Sequence, residues 1–316
     1  MELTTNTAPL IIAHRGCSYP SFNQNTIRCF KQVIAEGTPA IEFDVQVTSD
    51  GVPVIVHNLD LAEVSTGSGL VCETTFAQIQ ELYAGKIENG KDPIPTLEDM
   101  FVLMAETPEE TRPVMHLELK GNLSGKASAE LMSQWLADKR LRNEDFFISS
   151  FNPGELAVMK EAHPEIERAF LYGAVVRAPL EEQVPELEGQ WVTFFNYPEE
   201  AYMLTKFTDL ESLEPVAAEH IKDDQQRQIL MDIVEDNFTG NCYTDAVIDT
   251  AEELGCVAIN TNWKNTSREF VEKAHARGFK VNCYTINNLD DMKAKVAIGI
   301  DGFFTDNFIG AKELFA

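Results

Sequence analysis

The sequence contains few positively charged residues for its length. Its 316 residues include 25 Lys and Arg against 51 Asp and Glu, which gives a formal net charge of −26 at pH 7. A protein with this charge repels nucleic acid and anionic membrane surfaces, so we expect neither as a partner. A phosphate-bearing substrate would need a locally positive pocket, supplied by a metal ion or by Arg and Lys side chains.

Several other signals are missing. No apolar run approaches the roughly 20 residues of a membrane span, and the N-terminus lacks the basic and apolar regions of a secretory signal. The six cysteines are dispersed without any Cys-x-x-Cys spacing, which indicates reduced thiols rather than a zinc site or a disulfide framework. No Gly-x-Gly-x-x-Gly follows a predicted strand, so a dinucleotide-binding fold has no support. We therefore expect a cytoplasmic protein without a membrane span.

Apolar runs of strand length recur along the chain, and nearly all are followed by a helical pattern. They begin near residues 11, 40, 114, 146, 169, 257, 280 and 302. This alternation predicts an α/β protein with a parallel (β/α)8 TIM barrel, and an open doubly wound sheet is the alternative. We expect residues 1–316 to form a single barrel domain with a long insertion at about 175–242, after the fifth strand. The aromatic residues of the insertion favour a small satellite core over a lid on the substrate.

Polar side chains stand at the ends of four predicted strands, where the functional face of a barrel lies. They are His14 and Arg15, Glu42 and Asp44, His57, and Glu118 and Lys120. Within the pairs Glu42/Asp44 and Glu118/Lys120 the residues are two apart in a strand, so their side chains share one face. We therefore expect the carboxylates, histidines and basic groups to converge at the barrel mouth.

The chemistry of this set is that of metal-assisted phosphoryl transfer. Three converging carboxylates suit one hard divalent cation, Mg²⁺ or Ca²⁺. Two histidines can act as general base and general acid, while an arginine and a lysine hold a phosphate. A lone Glu-x-Asp pair is more often a solvated face, so the combination carries the interpretation. The other histidines have no comparable setting and are predicted to be structural: His116, His163, His220 and His275.

A series of short motifs resembles the glycerophosphodiester phosphodiesterase family. In chain order they are His14-Arg-Gly16, Asn25-Thr26, Ile41-Glu-Phe-Asp-Val45, Thr48-x-Asp-Gly51, His57, Gly67-x-Gly69, Ile94-Pro-Thr-Leu97, Glu118-x-Lys120, Ser149-Ser-Phe151 and Asp301-Gly-Phe-Phe-Thr-Asp306. The resemblance covers nearly the whole chain except roughly residues 175–242. It implies a barrel, a divalent metal ion, and hydrolysis of a glycerophosphodiester substrate to an alcohol and glycerol 3-phosphate.

The resemblance also implies a role for each strand-end residue. Glu42, Asp44 and Glu118 would be the metal ligands. His14 and His57 would form the acid–base pair. Arg15 and Lys120 would contact the phosphate. These roles agree with the assignments made from the residues themselves.

The chain departs from the family pattern at four positions near these motifs. Gln24 stands where the family usually has Glu, Asn58 where it has Asp, Glu63 where it tends to have Arg, and Tyr284 where it usually has Trp. Asn58 replaces a carboxylate acceptor beside His57 with a neutral amide. We expect these changes to bear on substrate preference and rate.

Two alternative functions remain at this point. One is a lyase-type phospholipase that releases a cyclic phosphate, which is disfavoured because such relatives are typically secreted and disulfide-bonded. The other is a catalytically impaired binding or regulatory barrel. Gln24, Asn58 and Glu63 keep that alternative open, and the intact set of histidines and carboxylates argues against it.

Overall fold

The computed structural model describes residues 8–16, 22–121, 123–172 and 244–316. The predicted insertion at about 175–242 lies outside the described residues, as does His220, and the single-domain organisation stays a prediction. Among the helices within these ranges, none combines the length and apolarity that a bilayer crossing requires. The strands are β1 (Leu10–Ala13), β2 (Ala40–Val47), β3 (Pro53–Ile55), β4 (Val114–Leu119), β5 (Phe146–Ser150), β6 (Arg168–Tyr172), β7 (Ala258–Asn262), β8 (Lys280–Tyr284) and β9 (Gly302–Thr305).

The strands form a closed barrel. In order around the barrel, β1 pairs with β2, followed by β4, β5, β6, β7, β8 and β9, and β9 pairs back onto β1. All of these pairings are parallel, whereas β3 pairs antiparallel with β2 as the return strand of a hairpin. The predicted (β/α)8 barrel is therefore confirmed, and the open-sheet alternative is wrong because β1 has a partner on both sides.

Helices follow most of the barrel strands, as the sequence predicts. They are α1 (Ile27–Ala35), α2 (Phe76–Ile79), α3 (Leu97–Glu106), α4 (Ser124–Ala137), α5 (Pro153–Ala162), α6 (Thr244–Glu253), α7 (Arg268–Ala276), α8 (Leu289–Ala297) and α9 (Phe308–Leu314). Single 3-10 turns occupy His14–Gly16, Leu61–Glu63, Val71–Glu73, Ile87–Asn89, Glu109–Thr111, Asn143–Asp145 and Trp263–Asn265.

Strand β2 shows why polar side chains point into the barrel. Side chains alternate between the two faces of a strand, and Ile41, Phe43 and Val45 belong to the large core cluster shared with the surrounding helices. Glu42 and Asp44 therefore face the barrel interior, where both are buried. Burial of the apolar side chains on the outer face fixes the register of β2. A shift by one residue would turn these apolar side chains inward and the carboxylates outward.

An aromatic layer lies deeper in the barrel, beneath these polar groups. The His116 ring on β4 stacks on Phe147 with 4.4 Å between ring centroids, and it meets Phe304 edge-on at 5.9 Å. Burial lowers the pKa of His116 to about 3, so this histidine is neutral at pH 7. These contacts agree with the prediction that His116 is structural.

The segment between β3 and α3 is ordered by several short turns. It holds helix α2 and three 3-10 turns. Its apolar side chains, including Leu61, Val71 and Ile79, pack with Val54 and Val56 in a cluster of their own. Turns of three or four residues are too short to produce a hydrophobic period in the sequence. Glu63, Val64 and Ala84 of this segment line a cavity together with His57.

Helix α4 begins without a side-chain cap of its own, directly after the end of β4. Its N-cap residue Leu123 has φ of 67° and makes no side-chain hydrogen bond. The buried Glu155 carboxylate of α5 accepts hydrogen bonds instead, from the Leu123 N–H at 3.2 Å and the Gly125 N–H at 2.5 Å. A carboxylate in this position satisfies orphan N–H groups and complements the positive end of the helix dipole.

We therefore expect Glu155→Ala to destabilise the protein by about 1–3 kcal/mol, because two N–H groups at the start of α4, one of them buried, lose their acceptor. Urea denaturation followed by circular dichroism measures this loss. Glu161→Ala, at an exposed position of the same helix, is the matched control and should change stability by less than about 0.5 kcal/mol. Equal effects of the two substitutions would contradict the capping role of Glu155.

Candidate active site

The seven residues predicted from the sequence lie together at the carboxyl end of the barrel. β1, β2 and β4 are neighbours, and Asp44 is in register with Glu118. His14 and Arg15 follow β1, and Lys120 follows β4. His57 follows the short hairpin strand β3, which returns along β2. The topology thus brings four separate stretches of sequence to one edge.

Three carboxylates form the centre of this group. Glu42, Asp44 and Glu118 each offer one oxygen, and these oxygens all lie within 4.8 Å of one another. Burial raises the pKa of Glu42 well above its usual value, and the neighbouring charges of Asp44 and Glu118 add to the effect. Burial also raises the pKa of Glu118, against the opposing attraction of Lys120.

The donor set fits a hard divalent cation. The Glu42 Oε1 and Asp44 Oδ1 atoms are buried and have no hydrogen-bond partner within the part of the chain that the structure describes. A buried polar atom without a partner costs free energy. A divalent cation coordinated by oxygen ligands would satisfy both atoms and offset the repulsion between the carboxylates. The Asn25 Oδ1 atom, also buried and without a hydrogen bond among these residues, lies on a side chain that reaches Asp44.

Two basic side chains partly balance the carboxylates. The Lys120 Nζ atom lies 2.6 Å from Glu118 Oε1 and 3.4 Å from Asp44 Oδ1, and the Arg15 Nε atom lies 3.6 Å from Asp44 Oδ2. Burial alone would lower the pKa of Lys120, but Glu118 and Asp44 raise it, so Lys120 stays charged. Burial would likewise raise the pKa of Asp44, yet the nearby positive charges and a 2.8 Å hydrogen bond from Asn25 lower it below its usual value.

Arg15 is held by an unusual backbone conformation. Its φ is 53°, in the left-handed region, and its backbone N–H donates to Glu42 Oε2 at 2.9 Å. The next residue, Gly16, has φ of 68°, and a Cβ there would collide with the ring of Phe30. The guanidinium also donates to Gln24 Oε1 at 3.2 Å, so one of the positions that depart from the family pattern contacts the site directly.

His14 is oriented by an aspartate from the other end of the chain. Its Nδ1 atom lies 2.7 Å from Asp306 Oδ1, and Asp306 Oδ2 accepts from Asn287 Nδ2 at 2.7 Å. Burial would raise the pKa of Asp306, but its hydrogen bond to His14 lowers it, so the carboxylate is ionised and acts only as an acceptor. The His14 Nε2 atom lies 4.0 Å from Glu42 Oε2.

Asp306 was not among the predicted site residues, although a signal for it existed. It directly follows the last barrel strand, which is the same strand-end position that identified the other residues. Asn25, which donates to Asp44, lies in one of the family motifs but had no predicted role.

His57 is oriented by a chain of two side chains. Its Nδ1 atom is hydrogen-bonded to Asn58 Oδ1, and Asn58 Nδ2 donates to Glu63 Oε2. Burial lowers the pKa of His57 well below its usual value, and the charges of Lys120 and Arg15 lower it further. His57 is therefore neutral at pH 7. Asn58 and Glu63, two further departures from the family pattern, are hydrogen-bonded to each other.

The walls around these groups are part apolar and part polar. The Phe151 and Tyr284 rings meet edge-to-face with centroids 5.6 Å apart, and the Lys120 Nζ atom lies 6.0 Å from the centre of the Phe151 ring. Burial raises the pKa of Tyr284 well above its usual value, to which the charge of Glu118 adds. A cavity of about 250 Å³ opens beside His57, between Phe22 and the segment that carries Glu63.

The sequence is similar to those of known glycerophosphodiester phosphodiesterases. The sequence profile of the glycerophosphoryl diester phosphodiesterase family matches residues 14–309. A glycerophosphodiester phosphodiesterase of Caldanaerobacter subterraneus is 32% identical over 167 residues, which are 52% of this chain and 66% of that protein. The corresponding protein of Bacillus altitudinis is 29% identical over 174 residues, 54% of this chain and 69% of that protein. The matches thus span about two thirds of the length of these relatives.

Solved structures show the same fold. A phosphodiesterase of Oleispira antarctica in complex with sn-glycerol-3-phosphate has a TM-score of 0.66 at 21% identity, and the match covers 97% of this chain and 96% of that one. A glycerophosphodiester phosphodiesterase of Thermotoga maritima has a TM-score of 0.58 at 17% identity, with 98% of this chain and 99% of that one covered. Since the profile match extends over most of the sequence, the chain belongs to the glycerophosphoryl diester phosphodiesterase family.

Proposed function

We propose that this protein hydrolyses glycerophosphodiesters to an alcohol and glycerol 3-phosphate with the help of one divalent cation. The observation that carries the proposal is the convergence of three carboxylates, two cationic side chains and two histidines at the barrel mouth. Relatives named glycerophosphodiester phosphodiesterases support the substrate class.

In this proposal Glu42, Asp44 and Glu118 hold the cation, which is Mg²⁺ or Ca²⁺. The buried Glu42 Oε1 and Asp44 Oδ1 atoms, which accept no hydrogen bond from the described residues, support this assignment. A bound divalent cation supplies charge neutralisation at the phosphodiester oxygens. The same carboxylates also position Arg15 and Lys120, since both basic groups lie against Asp44.

Arg15 and Lys120 would bind the phosphate of the substrate. An arginine fork suits two phosphate oxygens, while a lysine acts as a point charge. They provide the local positive field that an acidic protein needs in order to attract an anionic substrate.

The two histidines would divide the proton transfers. His57, neutral at pH 7, is suited to accept the proton of the nucleophile, which is either water or the glycerol hydroxyl next to the phosphate. His14, oriented by Asp306 at 2.7 Å, would then protonate the leaving alkoxide. Attack by the substrate's own hydroxyl would form a cyclic phosphate first, and attack by water would not.

Phosphorus NMR of the reaction products tests this function. With glycerophosphocholine, glycerophosphoethanolamine or an aryl phosphodiester as substrate, we expect turnover that chelation abolishes and that Mg²⁺ or Ca²⁺ restores. The glycerophosphodiesters should yield glycerol 3-phosphate. Glu118→Gln should lose activity because it alters one of the three proposed metal ligands. Glu130→Gln changes an exposed residue of α4 and is the matched control, which should keep its activity.

The NMR spectra also separate the alternatives. A cyclic phosphate that persists as the final product would support the lyase. Turnover of none of these substrates with either cation would support the impaired barrel.

Replacing either histidine tests the acid–base pair. We expect His14→Ala and His57→Ala each to lower kcat by about 10²- to 10⁴-fold, the usual contribution of general acid–base catalysis. His275→Ala is the control, because His275 pairs with Asp301 at 2.8 Å near the start of β9, at the opposite end of the barrel. The proposed mechanism fails if both active-site variants turn over substrate as the wild type does, with thermal unfolding as the check on the fold.

A further inference from the structure

We propose that Glu63 is a positioning residue which, through Asn58, fixes the tautomer of His57. The catalytic consequence rests on the proposed function, in which His57 accepts a proton. The tautomer itself is a property of the folded protein and can be observed without any substrate.

The chain of hydrogen bonds from His57 through Asn58 ends at Glu63, on the protein surface. Glu63 is an exposed carboxylate, which at neutral pH accepts hydrogen bonds and cannot donate them. It can therefore only face the amide nitrogen of Asn58, and this is the contact observed. Because the two ends of an asparagine amide differ in hydrogen-bonding character, an acceptor on one side determines which end faces the other side.

The amide passes this constraint on to the imidazole. With Nδ2 turned towards Glu63, Asn58 presents Oδ1 to His57. An amide oxygen only accepts, so the proton of the neutral ring must reside on Nδ1. The Nε2 atom is then left with its lone pair, as a general base requires. With the amide reversed, Nδ1 would face a donor and the proton would reside on Nε2.

The tautomer is a variable because a neutral imidazole can carry its single proton on either ring nitrogen, so the group that faces Nδ1 decides between the two. His14 differs, since its Nδ1 contacts the Asp306 carboxylate directly and needs no intermediate residue. At His57 the carboxylate is that of Glu63, and it acts through Asn58.

The hydrogen-bonded side chains of Glu63, Asn58 and His57 form a relay. The backbone around this relay is held independently of the Glu63 side chain. The buried Gln46 amide donates to the carbonyl oxygens of Val56, His57 and Asn58, at 2.9, 3.0 and 2.8 Å. Glu63 ends a 3-10 turn that the fully buried Leu61 anchors and that the Asp60 side chain caps at the Ala62 N–H. Replacing the Glu63 side chain should therefore alter the hydrogen bonds of the relay while leaving the fold in place.

The test is long-range ¹H–¹⁵N NMR of the imidazoles in the whole protein, with His57 assigned by the signals lost in His57→Gln. We expect wild type to show Nδ1–H at His57. Glu63→Lys places a donor beside Asn58, which should reverse the amide, move the proton to Nε2 and lower kcat by about 100-fold or more. Glu63→Gln can still offer an amide oxygen, so it should keep the Nδ1–H tautomer.

A double variant provides rescue. In Asn58→Asp/Glu63→Lys the residue beside His57 is a carboxylate, which can only accept, so Nδ1–H and turnover should both return. Glu73→Lys makes the same charge change at another exposed position of the same segment and should alter neither the tautomer nor kcat, which controls for the loss of negative charge.

Three results would overturn the relay: Nδ1–H retained in Glu63→Lys, no recovery of Nδ1–H in the double variant, or the same tautomer change in Glu73→Lys. A tautomer that switches without any loss of turnover would support the relay and count against His57 as the base. Failure of the relay and failure of the proposed mechanism are thereby distinguished.

Discussion

The arrangement of the barrel mouth depends on the repulsion between three carboxylates enclosed in a small volume. The oxygens of Glu42, Asp44 and Glu118 lie within 4.8 Å of one another, so each ionised pair costs about 3 kcal/mol or more at an effective dielectric constant of about 20. Lys120 and Arg15 supply two positive charges against three negative ones. The barrel can hold the three carboxylates together despite their repulsion, because each lies on a strand whose outer face is buried against the helices. Burial raises the pKa of Glu42, the neighbouring carboxylates add to the effect, and a divalent cation would relieve this repulsion.

Orientation of the two histidines depends on side chains from two separate parts of the chain. His14 is held by Asp306, which follows the last barrel strand, and His57 by the Asn58–Glu63 pair from the segment after β3. Closing the barrel between β1 and β9 brings the first of these contacts about, since it places residue 306 beside residue 14. The second depends on the small apolar cluster that orders the segment. Two different structural constraints thus produce two oriented imidazoles.

The barrel fold and most residues of the candidate site could be predicted from the sequence. Each barrel strand is an apolar run long enough to recognise, and the polar residues that end these runs necessarily converge when parallel strands form a barrel. The starts of α3 and α7 are local signals as well, because the Thr96 and Ser267 side chains cap the helices that follow them. The sequence did not reveal Asp306 as the partner of His14, 292 residues away, because such a pairing needs the closed topology. Nor did it reveal Glu63 as the partner of Asn58, since that contact depends on 3-10 turns too short to leave a periodic pattern.

The most direct test of this account is the stoichiometry of cation binding. Equilibrium dialysis of the purified, chelator-treated protein against Ca²⁺ or Mg²⁺ should find close to one bound ion per chain. The bound ion should be lost in the Glu42→Gln/Asp44→Asn double variant and retained in the Glu98→Gln variant, which alters an exposed carboxylate of α3. If the wild type binds neither cation, or if the double variant binds it unchanged, the three carboxylates are not a metal site and the proposed chemistry is wrong.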